Sequence, residues 1–425
     1  MMSKNLVKCF AVLMLLWGGS CSSNSEDDDI IDPPNPSPEE ITDLGVDDLA
    51  NCYIVTAPGS YKFLADNQFN LGEGLPVPPQ ISPADASLLW QTVKGSISSV
   101  ELINEGDKSY VKFHVEKAEG NAVIAVLNEK NEIEWSWHIW MPLEGIYSVT
   151  TDSGYEVMNM NLGALNNTAG DAGSYGMLYQ WGRKDPFPAS ATLTGNTTTV
   201  SAPMYDIEGK RVAITNSDWY SNENNNLAYS ISHPTVCLSN NAQFSVSRDW
   251  LETSLSDDSL WGNPTGYVRD PQTKEYTESG KKTCYDPSPA GWRVPPCGVF
   301  RHFTTSGGYA WDFSDFNIYD INKDNKTDID DFEYGWWFMA SGKSPLYFPA
   351  ASRFDGSYAM LMGSMSGLWG NYWSNSPYPG ITGGAMSALS FQVKDMYGND
   401  MVTVSPAGGG SRADAYSIRC VKDVK

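Results

Sequence analysis

Residues 285–296 read YDPSPAGWRVPP, and no other stretch limits the architecture as strongly. Pro287 and Pro289 fix φ and remove backbone donors, so the segment suits neither a helix interior nor a central strand. Gly291 permits a sharp bend just ahead of Trp292, an indole too large to leave in water without cost. Pro295 and Pro296 hold the exit extended. Such a turn works as a staple, and the surrounding chain needs one. From residue 149 onward Gly, Asn, Ser and Thr separate short apolar pieces, and helix periodicity is nearly absent. Short helices are expected only near 249–256 and 292–303. The polar stretch 192–280 reads as an insertion carrying Trp219, Trp250 and Trp261 as anchors. With 15 Trp and 22 Tyr, the core is aromatic.

The region 45–145 reads differently. Strands are expected at 51–56 and 61–63, with a hairpin pairing 98–102 and 110–115 around Asn104-Glu105-Gly106-Asp107. A second hairpin joins the apolar run 122–127 to 133–140, where Ile133, Trp135, Trp137 and Ile139 alternate with Glu134, Ser136, His138 and Trp140. About seven strands in about a hundred residues suggest an immunoglobulin-type sandwich. His138, flanked by tryptophans, is read as a satisfied structural histidine in preference to a ligand contact.

Several motifs carry a resemblance. PAGWRVPP, GNYWSNSP at 370–377, YSIRCVK at 416–422 and LYQWGRKDPFP at 178–188 together resemble the Fibrobacter succinogenes major paralogous domain, over roughly 149–425. The resemblance implies a C-type-lectin-like fold, shared with formylglycine-generating enzymes, in a surface lipoprotein of Bacteroides type. It also implies a disulfide to Cys420. Where the family has Asp-Pro-Cys-Pro this chain has Ser288, which leaves Cys284, Cys297 or neither as the partner. LANCYIV, GNAVIAV and EWSWHIW likewise resemble the N-terminal domain of Bacteroides surface and fimbrial-tip-like lipoproteins. The fold expectation is therefore mainly β: an immunoglobulin-like sandwich, then a loop-rich, α+β, C-type-lectin-like domain at 149–425.

Residues 1–20 read as a signal peptide, with Lys4 and Lys8, an apolar run from Phe10 to Trp17, and Gly18-Gly19-Ser20 ahead of Cys21. The run is far shorter than the ~20 residues of a membrane span. Small residues before Cys21 make it the expected lipidation site. Residues 21–44 form an acidic, proline-rich tether with little to bury. The acid run Glu26-Asp27-Asp28-Asp29 resembles the signal that exports such lipoproteins to the outer face of the outer membrane. The net charge of −23 repels phosphate backbones and argues against nucleic acid as a partner. Cysteines are too sparse for a disulfide scaffold and show no zinc spacing.

One constellation carries explicit chemistry. DINKDNKTDIDD at 320–331 places Asp320, Asn322, Asp324, the Lys326 carbonyl, Asp328 and Asp331 at positions 1, 3, 5, 7, 9 and 12 of an EF-hand or dockerin-type loop. Asn325 holds the position where φ must be positive, which asparagine tolerates best after glycine. The expectation is a structural calcium ion, weighed against a merely solvated acidic loop. Dockerins carry two loops, so a docking module is not expected. Nearby aromatics, Trp336, Trp337, Tyr347, Tyr372 and Tyr378, are the candidate ligand-binding surface, against the alternative that most are core.

No catalytic residues are assigned: Gly-x-Ser-x-Gly and His-Glu-x-x-His are absent. The leading expectation is a non-enzymatic cell-surface adhesin or ligand-binding protein, bound to the outer membrane by its lipid and carrying a host or glycan ligand. It is a candidate fimbrial tip subunit with pilin partners. The alternatives are a glycan-capture protein of polysaccharide uptake and an enzyme on the formylglycine-generating scaffold.

Overall fold

The computed structural model describes residues 40–45, 49–67, 76–193, 201–217, 226–239, 249–252, 257–262, 268–269, 276–277, 280–342, 344–356, 360–378 and 385–423. The chain is mainly β, with several sheets and little helix. Cys21, residues 22–39 of the tether, Trp219 and residues 253–256 lie outside the described residues, while the end of the expected tether is part of the fold: Ile41–Asp43 is a strand and Leu44 packs on the core.

Two sheets occupy the first part. One has the order Ile41–Asp43, Gly59–Leu64, Lys108–Val115, Ile97–Glu105, and the expected hairpin closes it at Gly106, whose φ is 68°. The other is built on Gly120–Leu127 and Ile133–Met141, flanked by Asp85–Gln91 and by Cys52–Ile54, which pairs in parallel with Ile133–Met141. Phe63 of the first sheet packs on Trp137 of the second at 5.1 Å and on Tyr53 at 4.5 Å, so aromatic rings join the sheets.

Alternation over 133–140 predicts one covered face, yet both are buried: Ser136, His138 and Trp140 are as inaccessible as Trp135 and Trp137. The later chain lies on the second face. One continuous hydrophobic cluster includes Trp135, Trp137, Met158, Tyr179, Trp181, Trp261, Trp373 and Cys420. Within residues 40–425 the chain forms one compact unit. The polar stretch 192–280 contributes to it as well: Met204–Tyr205 extends the second sheet beside Gln91, and Trp250 and Trp261 are buried against Trp181. The one described α-helix, Leu227–Ser232, lies in this stretch and is capped by Asn226. The region near 292–303 does turn helical, as the 3-10 segment Cys297–Phe303.

The quoted motifs converge in space. Met177–Gln180 pairs with Ala415–Ser417, Tyr372 of the strand Trp369–Pro377 pairs in parallel with Ser417, and Trp292–Arg293 pairs with Val421–Lys422. Indole donors lock them: Trp373 to the Tyr179 carbonyl at 2.7 Å, Trp181 to the Ser374 carbonyl at 2.9 Å. Trp292 is buried under the Lys422 ammonium, and the Lys282 ammonium donates to the carbonyls of Ser288, Pro289 and Trp292. The staple is therefore braced by cations as well as by packing.

Candidate functional site

The loop 320–331 is ordered by its own side chains. Asp320 accepts from the amides of Lys323 and Asn325 at 2.7 and 2.9 Å. Asn322 accepts from Asp324, Asp324 from Lys326, and Asp328 from Asp330. Asp331, the only buried member of the set, accepts from the Ile321 amide at 2.9 Å and so ties the two ends together. It also completes a capping box with Asp328 on the turn Ile329–Asp331. Asn325 has φ of 64°, as its position in the pattern requires, and Lys323 has φ of 60°. Among the described residues no three His, Cys, Asp or Glu side chains are gathered closely enough to hold a metal. The carboxylates of Asp320, Asp324, Asp328 and Asp331 accept from backbone amides.

The aromatic set divides. Trp336, Tyr347 and Tyr372 are fully buried, which removes them as ligand-contacting faces. Trp336 is enclosed by Phe313, Phe316 and Phe332. The Tyr347 hydroxyl donates to the Glu333 carbonyl and that of Tyr372 to the Pro349 carbonyl, at 2.7 and 2.6 Å. The expectation fails for a physical reason: Trp336 lies on the inward face of the pair Gly335–Ser341 and Ser344–Pro349 with Phe338, Leu346 and Phe348, Tyr347 on the other face is capped by Trp337, and Tyr372 sits in Trp369–Pro377 with a strand on either side. Trp337 and Tyr378 remain half-buried, and Trp337 lies over Tyr347 at 5.1 Å.

More exposed aromatics lie elsewhere, among them Tyr397, Tyr147 and an adjacent pair. Trp311 is 75% exposed and Tyr309 53%, their rings 5.8 Å apart and inclined at 65°. The sequence signal was present in Tyr309-Ala310-Trp311, two large rings flanking a small residue at strand period.

The described cysteines are free and buried, so none of Cys284, Cys297 and Cys420 is bridged. The Cys420 thiol points at the Ser288 hydroxyl, 3.3 Å away, so serine sits where a partner sulfur would have to be. Burial pushes the thiols of Cys284 and Cys420 up to about 12. That is the reverse of what an activated nucleophile needs.

A polar seam runs beneath the staple. Asn51 donates to the carbonyls of Cys284 and Asp286 and accepts from the Trp135 indole. Asp286 accepts from the amides of Ser288 and Val294 at 2.8 and 2.9 Å. Lys184 and Asp185 pair at 2.8 Å with Ser136 between them. Desolvation lowers the Lys184 pKa against the pull of Asp185. His138 lies between Asn121 at 2.8 Å and the Tyr179 hydroxyl at 3.1 Å, and burial lowers its pKa to about 3. It is neutral, doubly bonded and sealed from solvent, the structural role expected of it.

Comparison with protein families, characterised proteins and solved structures gives no match to this chain. What defines its class is the architecture: a mainly β body with several sheets.

Proposed function

We propose that this chain is a non-enzymatic, surface-exposed outer-membrane lipoprotein whose body binds a host or glycan ligand, as an adhesin or a fimbrial tip subunit. The observation that carries the reading is the order of the N-terminus: a leader, Gly18-Gly19-Ser20-Cys21, then an acidic, proline-rich tether ahead of the body. Lipid on Cys21 moors the protein, and the tether holds the body away from the membrane. In this reading the paired N-terminal sheets are an immunoglobulin-like sandwich and the remainder is a C-type-lectin-like head. Internally satisfied carboxylates and inactive buried thiols favour binding over catalysis.

Calcium belongs to the same proposal. The donor set of the loop is all oxygen, from Asp320, Asn322, Asp324, Asp328, Asp331 and the Lys326 carbonyl, which is the chemistry this hard cation takes. Its role is to fix the loop ahead of the strand Gly335–Ser341.

The decisive experiment is labelling of intact cells of a Bacteroides-type host with a membrane-impermeant reagent, comparing wild type with Cys21→Ala. Wild type should incorporate fatty acid and be labelled from outside, while the variant loses both. A protein that labels only after the cells are opened would end the adhesin reading. Co-purification with a pilin stalk tests the fimbrial version.

A further inference from the structure

We propose that Tyr309 and Trp311 form a stacking platform for a neutral oligosaccharide beside the edge strand Asp400–Ser411; this deepens the ligand-binding reading above and rests on it. The placement follows from one reciprocal pairing. Ala310 donates to the Val404 carbonyl at 2.8 Å and accepts from the Val404 amide at 3.0 Å, and both residues are buried in the core. In an extended pair the neighbours of such residues leave on the opposite face. Tyr309 and Trp311 therefore point away from the core, on the side that carries Thr403 and Ser405. Gln392 and Ser390 continue that row on the next strand, opposite Thr403 and Ser405.

The backbone beneath the rings is held. The loop that bears them is closed by pairing of Thr304 with Phe316 and of the Thr305 amide with the Asp315 carbonyl. Thr304 also bonds the Gly308 carbonyl across its neck. Phe313 and Phe316 of the same segment pack inward on Trp336, so this short stretch anchors two rings and leaves two in water. The backbone that carries the two rings is therefore already ordered, so binding need not fix the loop as well.

The surroundings select the ligand. On that side of the strand pair Ser405, Ser390 and Gln392 are half-buried and Thr403 is buried; a sugar offers its apolar C–H face to aromatic rings and its hydroxyls to polar groups of this kind. A protein partner would need about 800 Å² on each side, more than two rings supply; Met401 on this strand and Met396 and Tyr397 in the turn before it are exposed as well. Asp312 is exposed, and the amide and hydroxyl of Ser314 hold its carboxyl below the usual carboxylate range. With Asp315 beside it and a net charge of −23, the platform repels sulfated or sialylated chains.

The test uses the full mature protein against neutral gluco-, manno- and galacto-oligosaccharides, with sialylated and sulfated glycans and a basic protein, lysozyme, as further arms. Indole emission should shift to the blue on saturable binding of at least one neutral series. Trp311→Ala should weaken that binding by about tenfold or more, Tyr309→Ala by less, and Trp311→Phe should retain part of it. Since both side chains are exposed, thermal melting should not move. Equal binding by Trp311→Ala, binding only in the charged-glycan or lysozyme arms, or no binding of any neutral series would overturn the platform. External labelling of intact cells answers separately: glycan binding without surface exposure sinks the adhesin reading and leaves the platform, and the converse result does the opposite.

Discussion

The staple at 285–296 and the acidic loop at 320–331 solve one problem in two media. In each, aspartates replace the backbone hydrogen bonds that an irregular segment cannot make with itself. Asp286 does so while fully buried, serving Ser288 and Val294. Asp320, Asn322 and Asp324 do so in water. The backbones differ too: the staple takes its left-handed turn at Gly291, with φ of 72°, while the loop uses Lys323 and Asn325. The contrast shows that the same bond has a different energetic weight in the two places. Where water can replace a lost partner the bond is nearly neutral, and where it cannot the orphaned donor bears its full desolvation cost.

The largest effect should come from breaking the staple. Asp286→Ala strands two buried amides, and a loss of about 3–5 kcal/mol is expected in urea melts. Asp320→Ala, measured without calcium, should cost about 1 kcal/mol or less, because its amides turn to water. Equal losses would dissolve the distinction between the two segments.

The seam beneath the staple offers a second test through pH. His138 has a folded pKa of about 3 against 6.5 for the free side chain, so below 6.5 the unfolded chain binds the proton and the folded chain does not. Stability should therefore fall as pH drops, by about 1.4 kcal/mol per unit from 6.5 towards 3, reaching about 3 kcal/mol at pH 4. His138→Gln should be less stable at neutrality yet lose stability less steeply over that range. An unchanged slope would mean that the imidazole is reached by solvent.

What could be read in advance follows the same division. Local chemistry was legible: the hairpins, the turn at Gly106, the buried Trp292 and the positive φ at Asn325 all follow from residue types and spacing. Long-range covering was not. Ser136 and His138 look like an exposed face until Tyr179 and Asp185, far along the chain, close over them. Trp336, Tyr347 and Tyr372 look available for the same reason, while Trp311 stays open although its segment is as aromatic as theirs. Period-2 patterning marks which residues share a face and is silent on what lies over that face.

Calcium would move the exposed loop towards the buried staple's behaviour. At free calcium a hundredfold above its dissociation constant, stabilisation should be about 2.7 kcal/mol, seen as a rise in melting temperature that chelator reverses and Asp320→Ala abolishes. No response to calcium would leave the loop as a self-capped turn.

The smallest effects sharpen the comparison most, because they isolate the backbone. Lys323 adopts φ of 60°, a region that costs a residue with a Cβ roughly 1–2 kcal/mol. Lys323→Gly removes that strain but adds freedom to the unfolded chain, worth about 0.4–1 kcal/mol, so the net gain should be near 0.5 kcal/mol. Asn325→Gly should be close to neutral, since asparagine tolerates the conformation. Gly291→Ala is the mirror change. A Cβ added there meets no atom within 4 Å, so nothing but the backbone resists it, and a loss of about 1 kcal/mol is expected. If Lys323→Gly destabilises the chain, the lysine is making an interaction that outweighs its strain, and the loop is held by more than its aspartates.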